Sequence, residues 1–243
     1  MAAFSPTDIS GLQLWLKADS LSLNDNDAVG SWTDSSGNGN TANQGTAANK
    51  PTFKSSIING KPVVRFDGTS DFLTVTRNAG LEPAQVSIIA VVRAAAAPAN
   101  SSYAVSKKFT TGTVSSYSLQ RSSSVLAMRF GCRSGGTFAA TGGTLNDAQL
   151  WDGNGHVVVG VADEGTPLRS NFYLNTNIGA AGLVTGGLNY DANDLFIGSY
   201  DGTQLWMAFD LAELLIYNST LTMGQIGKVV NYLGDASRWN IAV

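Results

Sequence analysis

The sequence predicts an all-β protein: a two-sheet antiparallel jelly-roll sandwich with one short amphipathic helix near the carboxyl terminus. Three observations carry this. Short apolar or alternating runs recur along nearly the whole chain. The segments between them are rich in Gly, Asn, Asp, Ser and Thr, and only one stretch has the apolar period of a helix.

In order, "LQLWLKA" alternates, with Leu12, Leu14 and Leu16 on one face and Gln13, Trp15 and Lys17 on the other. The stretch "VVRFDGTSDFLTV" reads as a hairpin. Val64 and Phe66 share one face of its first strand, Val63, Arg65 and Asp67 the other; Leu73 and Val75 then oppose Phe72 and Thr74. Gly68 suits positive φ at the turn, Asp67 and Asp71 suit backbone N–H donors there, and Arg65 is placed to pair with a neighbouring carboxylate. Further strands are expected at 86–94, 116–121, 125–131, 156–163, 170–176, 194–199 and 209–217, with "AAAAPANSS" at 94–102 an exposed loop. The helix lies in "LTMGQIGKVVNYLGDASRW". Thr222 and Gln225 have capping-box spacing, Ile226, Val229, Val230 and Leu233 form the apolar stripe, and Gly234 suits a left-handed C′ position. With no repeat or linker, residues 1–243 read as a single domain with its core over about 12–239.

Composition narrows the function. The net charge is −3, 14% of residues are charged, and Lys107–Lys108 is the sole adjacent basic pair, which argues against nucleic acid as a partner. No apolar run reaches the ~18–20 residues of a bilayer span, so no membrane role is expected. Cys132 is the single cysteine, which excludes an internal disulfide and Cys/His metal motifs and reads as inert packing. "MAAFSPTDISG" lacks the basic and apolar regions of a secretory signal.

The order "LQLWLKADS", "VGSWTDSSGNGN", "PVVRFDGTSDFLTV", "HVVVGVAD", "FYLNT" and "FDLAELLIYNSTLTMGQIGKVVNYL" resembles the laminin-G-like branch of the concanavalin A-like lectin/glucanase superfamily, nearly end to end. The resemblance implies a jelly roll with loops at its rim and leaves activity open. Retaining glucanases need two carboxyl groups about 5 Å apart, and those of this superfamily carry E-x-D-x-x-E or E-x-D-x-E on one strand. Here Glu82, Glu164 and Glu213 are isolated; Glu213 is the nearest candidate, with Asp210 expected on the opposite strand face, and a local polar pairing is preferred for it. His156, the one histidine, opens a strand and reads as packing or hydrogen bonding. No enzyme is therefore expected.

The superfamily often binds calcium at a loop rim, and Asp25, Asn26 and Asp27, Asp34 and Asn38, and Asp191, Asn193 and Asp194 have suitable oxygen ligands. The same residues cap turns, which is the preferred reading, and no cofactor is assigned. For a sugar, Trp32, Trp151, Tyr200 and Trp206 lie in or beside loops and supply candidate platforms. A fold usually met in secreted proteins, here without signal peptide, disulfide or catalytic pair, resembles bacteriophage virion components. The expectation is a non-enzymatic capsid decoration or head-fibre protein, made in the host cytoplasm, located on the virion, contacting other capsid or tail proteins and assembling as a homo-oligomer, with a trimer the guess. The alternative is a carbohydrate-binding module for host or surface glycans, associated with the tail or baseplate.

Overall fold

The computed structural model describes residues 4–99, 101–109, 115–121, 128–134, 137–142, 150–163, 168–174, 177–178, 182–184 and 188–243. The expected strand runs 125–131 and 170–176 are described only from Met128 and to Leu174, and Glu164 lies outside the described residues.

Among the described residues the strands form two antiparallel sheets, as the alternation predicts. The nine-stranded sheet runs β14 (Asn177–Ile178), β13 (Leu168–Leu174), β12 (His156–Asp163), β7 (Val86–Arg93), β17 (Ala208–Tyr217), β5 (Lys61–Asp67) and β4 (Thr52–Ile58). β1 (Leu12–Lys17) also pairs with β17, and β15 (Gly182–Val184) with β13. The eight-stranded sheet runs β11 (Thr137–Gly142), β10 (Met128–Ser134), β9 (Ser115–Arg121), β8 (Ser102–Lys108), β16 (Leu195–Ile197), β6 (Leu73–Val75), β3 (Ala42–Asn43) and β2 (Ser31–Trp32). One apolar core, drawing on residues from Ile9 to Ile241, fills the space between them and continues over the outer face of the nine-stranded sheet. The sheets approach closely: a Cβ on Gly160 of β12 would lie 2.2 Å from the Phe130 ring of β10, so that position needs glycine.

β17 organises the first sheet. One edge pairs with β7; the other pairs with β5 through Ala208–Leu211 and then with β1 through Glu213–Tyr217. A register shift between Leu211 and Glu213 accompanies the change of partner and adds one residue to the strand. Asp210 stands opposite Arg93 and Glu213 opposite Val91, so the two acids share a face, contrary to the regular-strand expectation. That outer face is covered in turn. Helix α1 (Met223–Gly234) starts with the expected Thr222–Gln225 capping box and buries Ile226, Val229, Val230 and Leu233. The segment after it lays Trp239 against the sheet, and this cover buries Trp15, which alternation alone assigns to a polar face.

Two expectations need correction. Gly234 is the last helical residue rather than a left-handed C′, and Asp235 ends the helix at φ −56° and ψ 145°. The glycine is required by close approach, since a Cβ there would sit 2.8 Å from the Ile241 carbonyl oxygen. Nor is "VVRFDGTSDFLTV" a hairpin. β5 belongs to the nine-stranded sheet and β6 to the other, where it pairs with β16 and β3, so residues 68–72 form a corner between sheets. The face assignments survive, with Val64, Phe66, Leu73 and Val75 all buried. Local alternation does not say which strands pair, and that is why a corner and a hairpin look alike in sequence.

The "TDSSGNGN" loop straps the free edge of β1. Asp34 accepts from the N–H of Trp15 (2.9 Å), Ser36 (2.8 Å) and Asn40 (2.9 Å) and from the Ser36 hydroxyl (2.7 Å). Asn38 and Asn40 donate to the carbonyls of Leu12 (2.8 Å) and Gln13 (2.7 Å). The loop thereby satisfies backbone groups that an open strand edge would expose. Asp34→Ala is expected to lower stability by about 2–4 kcal/mol, and Asp27→Ala, in an exposed turn, by less than about 1 kcal/mol; urea unfolding of the two variants measures the difference.

Candidate functional site

A cleft of about 690 Å³ opens at the rim where β5 and β7 end and β17 begins, walled on one side by the stretch Ala94–Ala99. Its polar lining follows from register. Asp210 of β17 lies directly opposite Arg65 on one neighbour and Arg93 on the other. Arg65 grips the carboxylate with two hydrogen bonds, Nε to Oδ1 at 2.6 Å and Nη2 to Oδ2 at 2.9 Å, and Arg93 Nη1 donates to Oδ2 at 2.8 Å. Arg93 Nε is fixed by the Gly153 carbonyl at 2.7 Å. The Asp210 side chain is 4% exposed, whereas those of Arg65 and Arg93 are 40% and 22% exposed. A buried carboxylate thus anchors two guanidinium groups at the cleft surface. The Asp210 hydrogen bond raises the Arg65 pKa. Arg65 Nη1 and Arg93 Nη2 take no partner among the described residues.

The corner loop supplies the opposite wall. Asp67 accepts from the N–H of Thr69 (2.8 Å), Ser70 (2.9 Å) and Asp71 (3.0 Å) and from both hydroxyls, while Asp71 accepts from the Asp67 N–H at 3.1 Å. Gly68 turns the chain at φ 75°. Burial works to raise the Asp67 pKa, but the Thr69 hydroxyl and the three N–H groups prevail and hold it well below the usual carboxylate range. Asp71 goes the other way. Burial, reinforced by the Asp67 charge, pushes it up to about 6 against the one N–H it accepts. Phe66 and Phe209, stacked at 5.0 Å, fill the floor.

The other sequence candidates lie elsewhere. Trp32, Trp151 and Tyr200 are buried, with Trp32 Nε1 donating to the Lys17 carbonyl and the Tyr200 hydroxyl to the Phe109 carbonyl. They offer no ring face to solvent, because a ring at a strand end turns into the nearest apolar volume. Trp206 is half-buried, its indole nitrogen shielded and without a partner among the described residues. Asp25 accepts from the Ser55 N–H, Asp27 from Asn24, Asp191 from Asn193 and Asp194 from the Arg77 N–H, all separate turn contacts. Among the described residues no three His, Cys, Asp or Glu side chains group around one point. His156 bonds Asp152 at 2.9 Å, and Glu82 pairs with Arg77 and with buried Lys107.

Glu213 is fully buried. It accepts from Trp15 Nε1 (2.5 Å), Trp239 Nε1 (2.6 Å) and the Arg238 guanidinium, and burial pushes its pKa up against these three. Sequence reasoning missed Asp210 as the partner of Arg65 and Arg93 as the second arginine on Asp210. The available signal was Arg93, the one charge of β7, and Asp210 near the start of β17, a strand that also carries Glu213.

The Asp71 shift has a definite sign. With its folded pKa raised from 3.8 to about 6, the protonated form favours folding below pH 4, and that contribution is lost as pH climbs through about 6. Asp71→Asn keeps an oxygen for the Asp67 N–H and does not ionise. Its stability relative to the native chain is expected to improve by about 1–3 kcal/mol between pH 4 and pH 7. Denaturant unfolding at the two pH values reads this, and a pH-independent difference would refute it.

A laminin G family model, described as the concanavalin A-like lectin/glucanases superfamily, matches residues 67–227. No curated protein matches the sequence. Among solved structures, the binding domain of Paraclostridial Mosquitocidal Protein 1 is similar with a TM-score of 0.67 at 10% identity, covering 95% of this chain and 54% of that one. The botulinum neurotoxin type G receptor binding domain gives 0.64 at 14% identity, covering 92% and 51%. Trypanosoma rangeli sialidase in complex with sialic acid gives 0.60 at 13%, covering 91% and 33%. At such identity the likeness is one of fold, and the chain spans about half of each toxin domain and a third of the sialidase. The sequence match and the two-sheet architecture agree: the chain belongs to the laminin-G-like branch of the concanavalin A-like lectin/glucanase superfamily.

Proposed function

We propose that this chain is a non-enzymatic carbohydrate-binding module whose rim cleft receives the glycan. The observation that carries this is the Asp210 clamp, which holds Arg65 and Arg93 at the surface of an open cleft with one guanidinium nitrogen of each uncommitted. Planar donors fixed in advance suit pairs of sugar hydroxyls or a sugar carboxylate, since little side-chain entropy remains to be lost on binding. The toxin receptor-binding domains and the sialidase bound to sialic acid, similar in fold, lend support by analogy. Glu213 supports the non-enzymatic part, because its carboxylate is buried and committed to three donors.

The setting we propose is a bacteriophage particle, with capsid decoration or a head fibre ahead of tail or baseplate. The low proportion of charged residues, suited to packing against other proteins, favours it.

A glycan array probed with and without calcium tests the binding. Arg93→Gln leaves Asp210 gripped by Arg65 and is expected to weaken the strongest signal at least tenfold, an effect of about 1.4 kcal/mol, at a cost of about 1–3 kcal/mol in stability that leaves the chain folded in the assay. An array with no signal, or a signal indifferent to Arg93→Gln, would sink the rim-cleft reading. Mass spectrometry of purified particles tests the setting, where stoichiometric copies are expected. Glu213→Gln is expected to cost stability without abolishing any hydrolysis.

A further inference from the structure

A second opening lies on the outer side of the nine-stranded sheet, between α1 and the amino-terminal segment. It is a groove of about 700 Å³ and shares no lining residue with the rim cleft. Phe4 and Tyr232 form its aromatic floor. Their rings meet edge to face at 6.2 Å, Trp15 meets Tyr232 in the same manner at 6.4 Å, and the Arg238 guanidinium lies 5.5 Å from the Tyr232 centroid. Tyr232 is held by three neighbours, so its ring is a fixed surface.

The polar rim combines donors and acceptors. Lys228 and Asn231, three residues apart and exposed on α1, have no partner among the described residues for ammonium or amide, and the Tyr232 hydroxyl is likewise uncommitted among them. Asp8 uses one carboxylate oxygen on the Ser5 N–H at 2.8 Å. Asp235 uses one on the Ser237 N–H (2.8 Å) and hydroxyl (2.6 Å), and the second oxygen of each acid is unclaimed. An anion calls for donors alone and a cation for acceptors alone. A sugar hydroxyl both donates and accepts, and the C–H face of a pyranose is apolar, so donors and acceptors around a rigid aromatic floor fit a saccharide. From this arrangement we infer that the groove is a second saccharide site, selective for a neutral hexopyranoside and independent of the rim cleft.

Saturation-transfer NMR on the full chain tests it. The probes are methyl β-D-galactopyranoside, methyl β-D-glucopyranoside and methyl α-D-mannopyranoside, with inorganic phosphate and tetramethylammonium as anionic and cationic competitors. At least one glycoside is expected to show saturated ring protons that neither ion displaces. The double variant Lys228→Ala with Asn231→Ala, both on the exposed side of α1, is expected to weaken that binding about tenfold with an unchanged unfolding midpoint, while Arg93→Gln leaves it intact. The inference is overturned if no probe is saturated, if either ion displaces the glycoside, if the double variant binds like the native chain, or if Arg93→Gln abolishes the signal. Loss of the array signal in Arg93→Gln with the groove signal retained separates the two sites. An array indifferent to Arg93→Gln removes the rim reading and leaves the groove standing.

Discussion

The structure depends on how β17, buried along nine of its ten residues, accommodates two carboxylates. Ala208 is the strand's one exposed residue, and both Asp210 and Glu213 sit beneath protein. An ionised carboxylate removed from water costs several kcal/mol unless other groups replace its solvation. Each acid therefore fixes what surrounds it. Asp210 binds the arginines of β5 and β7, joining three strands at the rim. Glu213 binds the indoles of Trp15 and Trp239 and the guanidinium of Arg238, joining β1 to the segment after α1. The register shift between Leu211 and Glu213 puts both acids on the outer face, where these partners can reach them, and leaves the inner face free for the apolar core.

Both openings are consequences of those two clamps. The rim cleft exists because Arg65 and Arg93 are drawn onto Asp210 instead of extending into water, which leaves a recess bounded by the alanine stretch and the corner loop. The groove exists because Arg238, bound to both Glu213 and Asp19, is held over the ring of Tyr232 and fixes it as a floor. Burial opposes the Arg238 charge, but the Glu213 charge and the Asp19 hydrogen bond and charge together prevail and raise the arginine above its usual pKa, so this cation stays charged. Rigidity at both surfaces thus comes from buried charge beneath them, an arrangement that lowers the ordering cost of binding a small polar ligand.

Elements governed by local rules were legible in the sequence. The alternation of Val64 with Phe66 and of Leu73 with Val75, the Thr222–Gln225 capping box and the α1 stripe all stand, because each depends on residues within a turn or two of one another. Pairing was not legible. A corner between sheets has the same turn chemistry as a hairpin, and nothing local to residues 67–71 says that β6 will pair with β16 instead of β5. The site was legible only in part. Arg65 stood out as a charge needing a carboxylate, but Asp210 is 145 positions away. The aromatic candidates failed for a related reason: Trp32 and Tyr200 look like loop residues in sequence, while Phe4 and Tyr232 come together only after both ends of the chain dock on one sheet.

The corner loop shows that fold and site are inseparable here. Asp67 collects three backbone N–H groups and two hydroxyls, which is how the chain turns from one sheet to the other without a ladder to satisfy those donors. Because Asp67 takes nearly all the donors, Asp71 receives one and must carry its burial beside a fixed negative charge. The loop's geometry therefore creates the perturbed carboxyl on the cleft wall as a by-product of making the corner. Any substitution that redistributed those N–H groups, moving one from Asp67 to Asp71, would lower the Asp71 pKa and change the charge facing Arg65 and Arg93 even with every lining residue in place.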